Sequence, residues 1–150
     1  MNWADPTPAR VQHVAARLRH QDRLEVLYSH HLSGEDAVML SWHQAAICRC
    51  IDGDDGAAVG ICGVTAGGIV WLLATDGLLA TASHRRQFLR GGRQWISELL
   101  ASGRFPHLEN WALASNAGAL RWLRWLGFTV DTPEPLGRSA QLFCHFWRMA

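Results

Sequence analysis

Apolar positions follow one period in the first third of the chain and another in the second. Val11, Val14, Ala15 and Leu18 recur at helical spacing and predict an amphipathic helix over 8–20. The run Asp5-Pro-Thr-Pro-Ala-Arg before them supplies prolines near the first turn and Thr7 as a cap. A second helical stretch begins near Asp22 with Leu24, Val26 and Leu27, and a third covers 35–43 after Ser33-Gly34. The period then shortens. A strand is predicted over 45–51, a turn at Asp52-Gly-Asp-Asp-Gly56, and a returning strand over 57–64, forming an antiparallel hairpin.

After a turn at Thr65-Ala-Gly-Gly68 comes Ile69-Val-Trp-Leu-Leu-Ala-Thr75, apolar throughout as for a strand covered on both faces. Helical spacing returns over 84–102, with Phe88, Leu89, Gly92, Trp95, Ile96, Leu99 and Leu100 inward and Arg86, Arg90 and Arg93 outward. Gly103 and Pro106 stop that helix. The rest reads as a strand over 108–114, a helix over 116–126 closed by Gly127, a short strand over 128–130, a loop over 132–137 and a strand over 141–148. This order predicts an α/β (α+β) single domain over 1–150, a mostly antiparallel sheet of six or seven strands flanked by helices.

Composition narrows the function classes. With 150 residues, 49% of them apolar, the chain has material for one real core, and disorder is disfavoured. No apolar run reaches the roughly 20 residues of a membrane span, and the first residues lack the layout of a secretory signal. Fourteen basic residues against 13 acidic ones name no partner. All the basic residues are arginine, so self-regulation by lysine acetylation is excluded. Cys48-Arg-Cys50 is half of a metal motif with no second half, so core packing explains it and no metal is expected.

One segment is more specific. In Asn116-Ala-Gly-Ala119-Leu-Arg-Trp122-Leu123-Arg-Trp-Leu126-Gly127-Phe128, Asn116, Ala119, Gly127 and Phe128 fit the spacing of a motif in the GNAT acyltransferases, which the segment resembles. A wider resemblance is to the protein-13, or internal virion protein A, family of T7-like bacteriophages. It is carried by Ala16-Arg-Leu-Arg-His-Gln-Asp-Arg-Leu-Glu-Val26, Trp71-Leu-Leu-Ala-Thr-Asp76, Phe88-Leu-Arg90 with Trp95, and Arg121-Trp-Leu-Arg-Trp-Leu-Gly-Phe128. These resemblances imply a GNAT-like fold in a protein of virion morphogenesis, located in the virion or in the host cytoplasm during assembly. The implied partners are other phage virion proteins or further copies of the chain. Fold alone does not imply acetyl transfer.

For an acyltransferase, the resemblance implies an Arg/Gln-x-x-Gly-x-Gly/Ala loop whose amides hold the CoA pyrophosphate at a helix N-terminus. The matching stretch is Gln87-Phe-Leu-Arg90-Gly91-Gly92, with arginine at the first glycine position. Arg90 either offers its guanidinium to phosphate or belongs to a helix already under way near His84. Phe88 and Leu89 are in phase with Trp95 and Ile96, which favours the helix. The motif's acid, a tyrosine seven residues after asparagine, is replaced by Leu123. Asp76 and Glu109 are the candidates for a general base, and Gln87, Arg90, Gly91, Gly92 and Asn116 for cofactor contact.

No cofactor is expected under the virion reading; acetyl-CoA is the cofactor of the alternative, an active N-acetyltransferase. Arg86, Arg90, Arg93, Arg121, Trp122, Arg124 and Trp125 form a candidate interaction surface, since arginine and tryptophan are enriched where proteins bind one another. Nucleic acid is the third option, without a stacking motif to support it.

Overall fold

A computed structural model describes residues 1–150. The element order is β1 (Asn2–Ala4), α1 (Pro8–Ala16), α2 (His20–His30), α3 (Gly34–Gln44), β2 (Ile47–Asp52), β3 (Ala58–Val64) and β4 (Val70–Ala74). A 3-10 turn (Asp76–Leu79) follows, then α4 (Ala82–Ala101), β5 (His107–Leu113), α5 (Ala117–Trp125), β6 (Thr129–Val130), β7 (Glu134–Leu136) and β8 (Gln141–Met149).

Local chemistry sets the helix ends. Thr7, Ser33 and Thr81 each accept a first-turn amide on the side-chain oxygen, before α1, α3 and α4 respectively. Asn116 does the same for α5, accepting from Ala119 N–H at 3.2 Å. Gly127, at φ +89°, ends α5 in a conformation that a Cβ would strain. Two of these borders differ from expectation. Helix α1 stops at Ala16, and α4 begins at Ala82, because Thr81 captures His84 N–H at 3.0 Å. Strands β1 and β7, absent from the sequence reading, are three residues each and exist through long-range pairing with β2 and β8.

The mostly antiparallel sheet is divided in two. Strands β1-β2-β3-β4 form one sheet; β5, β8 and β6 form the other, with β7 also paired to β8. The halves touch at the start of β4, where Ile69 makes a parallel bridge to Glu109 and Glu109 N–H donates to Gly68 O at 2.9 Å. Asn110 Nδ2 donates to Val70 O at 2.8 Å, one step further along. Beyond that point β4 and β5 separate. The register with β3 turns the N–H and C=O groups of residues 70, 72 and 74 toward this split.

Three buried clusters fill the interior. The largest joins Val64 and Val70 of the first sheet to Leu108, Ala112, Cys144 and Phe146 of the second, beneath Ile96 and Leu99 of α4 and Leu120 and Leu123 of α5. A second lies between α1, α3 and the other face of the first sheet, around Val11, Val14, Val38, Ile61 and Leu73. The third places Phe88 of α4 against Ile51, Cys62, Ala74 and Leu78. No helix is long and apolar enough to cross a membrane.

Candidate functional site

The split between β4 and β5 is the one place where two neighbouring strands leave backbone unpaired with each other, and α2 lies across its far end. Asp22 and Glu25 stand three residues apart on that helix and therefore project the same way. Ala74 N–H of β4 donates to Asp22 Oδ2 at 2.8 Å, and Ala74 O accepts from Arg19 N–H at 2.8 Å. On the opposite side Leu113 N–H of β5 donates to Glu25 Oε1 at 3.1 Å, and Asn116 Nδ2 donates to the same oxygen at 3.4 Å. One helical turn thus holds both strand ends.

These carboxyls are perturbed. Burial raises the Asp22 carboxyl above its ordinary range, opposed by Arg19, whose Nε stands 2.9 Å away. Burial, with the nearby charge of Asp22, pushes Glu25 up to about 7. Sequence reasoning missed both residues. Two acids at i and i+3 within a helix also bearing Leu24, Val26 and Leu27 were the signal available.

On the α4–α5 side the split opens into an apolar cavity of about 60 Å³, lined by Val70, Leu72, Phe88, Trp95, Trp122 and Phe128 among others. That volume admits a few waters or one small group. The buried indole N–H groups of Trp71 and Trp122, which also border it, have no acceptor.

Positions 87–92 lie inside α4. Their amides are committed to the helix, which runs from Ala82 to Ala101 without a break. Gln87 is hydrogen-bonded to Asp54, Ser83 and the amino group of Met1. Gly91 admits the indole of Trp3: a methyl group there would sit 2.5–2.9 Å from three atoms of that ring. Gly92 is buried beneath Trp122. Arg90 points outward, beside Arg86 and Arg93. Asn116 is used as a helix cap and as a partner of Glu25. Leu123 is buried in the main core, with no hydroxyl there to donate a proton.

The base candidates are not brought together. Asp76 is exposed beyond the carboxyl end of β4, whereas Glu109 lies beside Ile69 at its beginning. The seven residue steps from Ile69 to Asp76 span roughly 20 Å. Glu109 instead contacts His145 Nε2 at 2.9 Å and His107 Nε2 at 3.6 Å, and His145 Nδ1 lies 3.2 Å from Asp131 Oδ2. No group of three or more His, Cys, Asp or Glu is arranged to hold a metal ion. All four cysteines are free thiols, and burial raises Cys48 to about 12 and Cys50 to about 11.

Of the candidate interaction surface, Arg86, Arg90 and Arg93 share a shallow groove with Leu89 and Trp125. Arg121 and Arg124 are exposed on α5. Trp122 faces inward against Phe88, with ring centroids 5.0 Å apart.

The split sheet, the helix after β4 and the helix after β5 together define the fold of the GNAT acetyltransferases. The chain is similar over its whole length to solved structures of that fold. A GNAT-family acetyltransferase from Streptococcus pneumoniae matches 99% of this chain and 98% of its own, at TM-score 0.64 and 13% identity. Ribosomal-protein-alanine N-acetyltransferase from Brucella melitensis matches 100% of both chains, at TM-score 0.68 and 11% identity. Ard1 from Thermoplasma volcanium matches 99% of this chain and 97% of its own, at TM-score 0.67 and 14% identity. No protein-family model and no curated protein matches the sequence.

Proposed function

We propose that this chain is a GNAT-fold protein whose acyl-CoA cleft is closed, and that it acts through protein–protein contacts in the morphogenesis of a T7-like bacteriophage. The observation that carries this reading is the unbroken helix through Gln87–Gly92. A pyrophosphate needs converging free amides, and here those amides serve helical carbonyls while Trp3 covers Gly91. The reading is supported against acetyl-CoA by the small volume of the cavity beside α4 and α5 and by Leu123, which supplies no acid. The phage assignment draws its support from the sequence blocks around 16–26, 71–76, 88–95 and 121–128. It places the protein with other virion proteins or with copies of itself.

An active N-acetyltransferase is the second reading. It is favoured by the whole-length likeness to acetyltransferase structures and by Glu25, whose carboxyl at about 7 is suited to accept a proton. Calorimetry separates the two. Under the closed-cleft reading acetyl-CoA at about 1 mM gives no saturable heat, placing any Kd above that concentration, and no thiol is released with amine acceptors. Saturation at tenfold lower ligand, or thiol release, overturns it. Deleting the coding sequence from the parent phage should abolish mature particles; a normal yield would refute the assembly role.

A further inference from the structure

We infer that the groove between α4 and α5 docks an acidic, amphipathic helical segment of a partner protein. The inference rests on the protein-contact reading above and names the chemistry of the partner. Arg86, Arg90 and Arg93 occupy i, i+4 and i+7 on exposed α4 and so form a row about 10.5 Å long. A facing helix with carboxylates at the same interval matches that row, one bidentate guanidinium contact to each acid. None of these arginines has an acidic partner within the chain, and neither do Arg121 or Arg124 on α5. Glu98 is the only acid on either helix, and it is bonded to Gln94. A chain of net charge +1 therefore concentrates unpaired positive charge along the row of Arg86, Arg90 and Arg93.

The groove is shallow and open to solvent, and it is not uniformly polar. Leu89 is 38% exposed and Trp125 is 46% exposed within it. These two provide apolar seats between the cations, as an amphipathic helix requires and a phosphate backbone does not. Arg93 lies over one face of the Trp125 ring, its Cζ 4.9 Å from the centroid, so that face is not open to a stacking nucleobase.

The test uses the full-length protein and three labelled probes followed by fluorescence anisotropy at about 0.15 M salt. The first is a helical peptide of glutamate and leucine with Glu at i, i+4 and i+7. The second replaces Glu by Lys, and the third is a short DNA duplex. The Glu/Leu peptide should bind saturably, at least tenfold tighter than either other probe, and weaken as salt rises. Arg90→Glu with Arg93→Glu should cost at least tenfold, and Trp125→Ala several-fold, with circular dichroism unchanged. The inference is overturned by absence of saturable Glu/Leu binding, by equal affinity for the Lys peptide or the duplex, or by indifference to the charge reversal. Acetyl-CoA calorimetry on the same preparation reports separately on the cleft, so failure of the docking site and failure of the closed-cleft reading give different results.

Discussion

Glu25 is the residue whose ionisation matters most to this fold. Its oxygen accepts from Leu113 N–H and Asn116 Nδ2, but burial holds its carboxyl at about 7 rather than the ordinary 4.5. The folded state therefore binds a proton more tightly than the unfolded chain does. The resulting stabilisation is complete below pH 4.5 and is lost as pH rises through 7. The shift corresponds to about 3 kcal/mol, or a fall of roughly 6–12 °C in Tm for a domain of this size. Glu25→Gln keeps the accepting oxygen and removes the charge. It should raise Tm at pH 8 and flatten the profile between pH 5 and 8, leaving the smaller slope from Asp22, which is shifted the same way. Thermal unfolding followed by circular dichroism across that range checks this. An unchanged slope in the variant would mean that Glu25 is ionised and well solvated.

At the scale of elements, α4 decides between a phosphate loop and a closed helix, and Gly91 is where that choice is tested. The Cβ of Gly91→Ala would meet the Trp3 indole. Overpacking there should cost about 1–3 kcal/mol, against the roughly 1 kcal/mol that alanine gains over glycine inside a helix. In a Trp3→Ala background the overlap is gone, and the same substitution should stabilise. Urea titration of the four-member cycle reads the difference. Stabilisation by Gly91→Ala alone would show that Trp3 does not sit there. The helical identity of 87–92 was legible, because Phe88 and Leu89 keep phase with Trp95 and Ile96 across the motif. The N-terminus was legible only to within two residues, because the apolar phase begins at Phe88 and the capping signal of Thr81 lies outside it. Strand β4 was harder. Its unbroken apolar run reports that both faces are covered, by Phe88 and Leu78 on one side and by α1 and α3 on the other. Side-chain polarity says nothing of strand edges, so the run could not disclose that one edge of β4 faces the split. The roles of Asp22 and Glu25 were hidden for a related reason: their partners are backbone amides 52 and 88 residues away.

For the whole molecule, the question is whether two sheets make one folding unit or two. Backbone pairing between them is confined to the Ile69–Glu109 bridge and its neighbours, which by itself would allow independent halves. The cores argue otherwise. Val64 and Val70 from the first sheet lie in the same buried cluster as Leu108, Ala112 and Phe146 from the second, so the two sheets share one buried core where they meet. Helix α2 adds a second tie at the open end. Unfolding should therefore be a single transition, with far-UV circular dichroism and tryptophan fluorescence coinciding. Trp71 on β4 and Trp111 on β5 place fluorescent reporters in both sheets. Leu108 is fully buried at the junction. Leu108→Ala should cost about 2–5 kcal/mol by leaving a cavity, and should move both probes by the same amount. If the sheets were separate units, the variant would shift only part of each signal and leave a second transition at the original temperature. That outcome would make the split a domain boundary instead of a cleft within one core, and α2 a connector between domains instead of the strap that closes it.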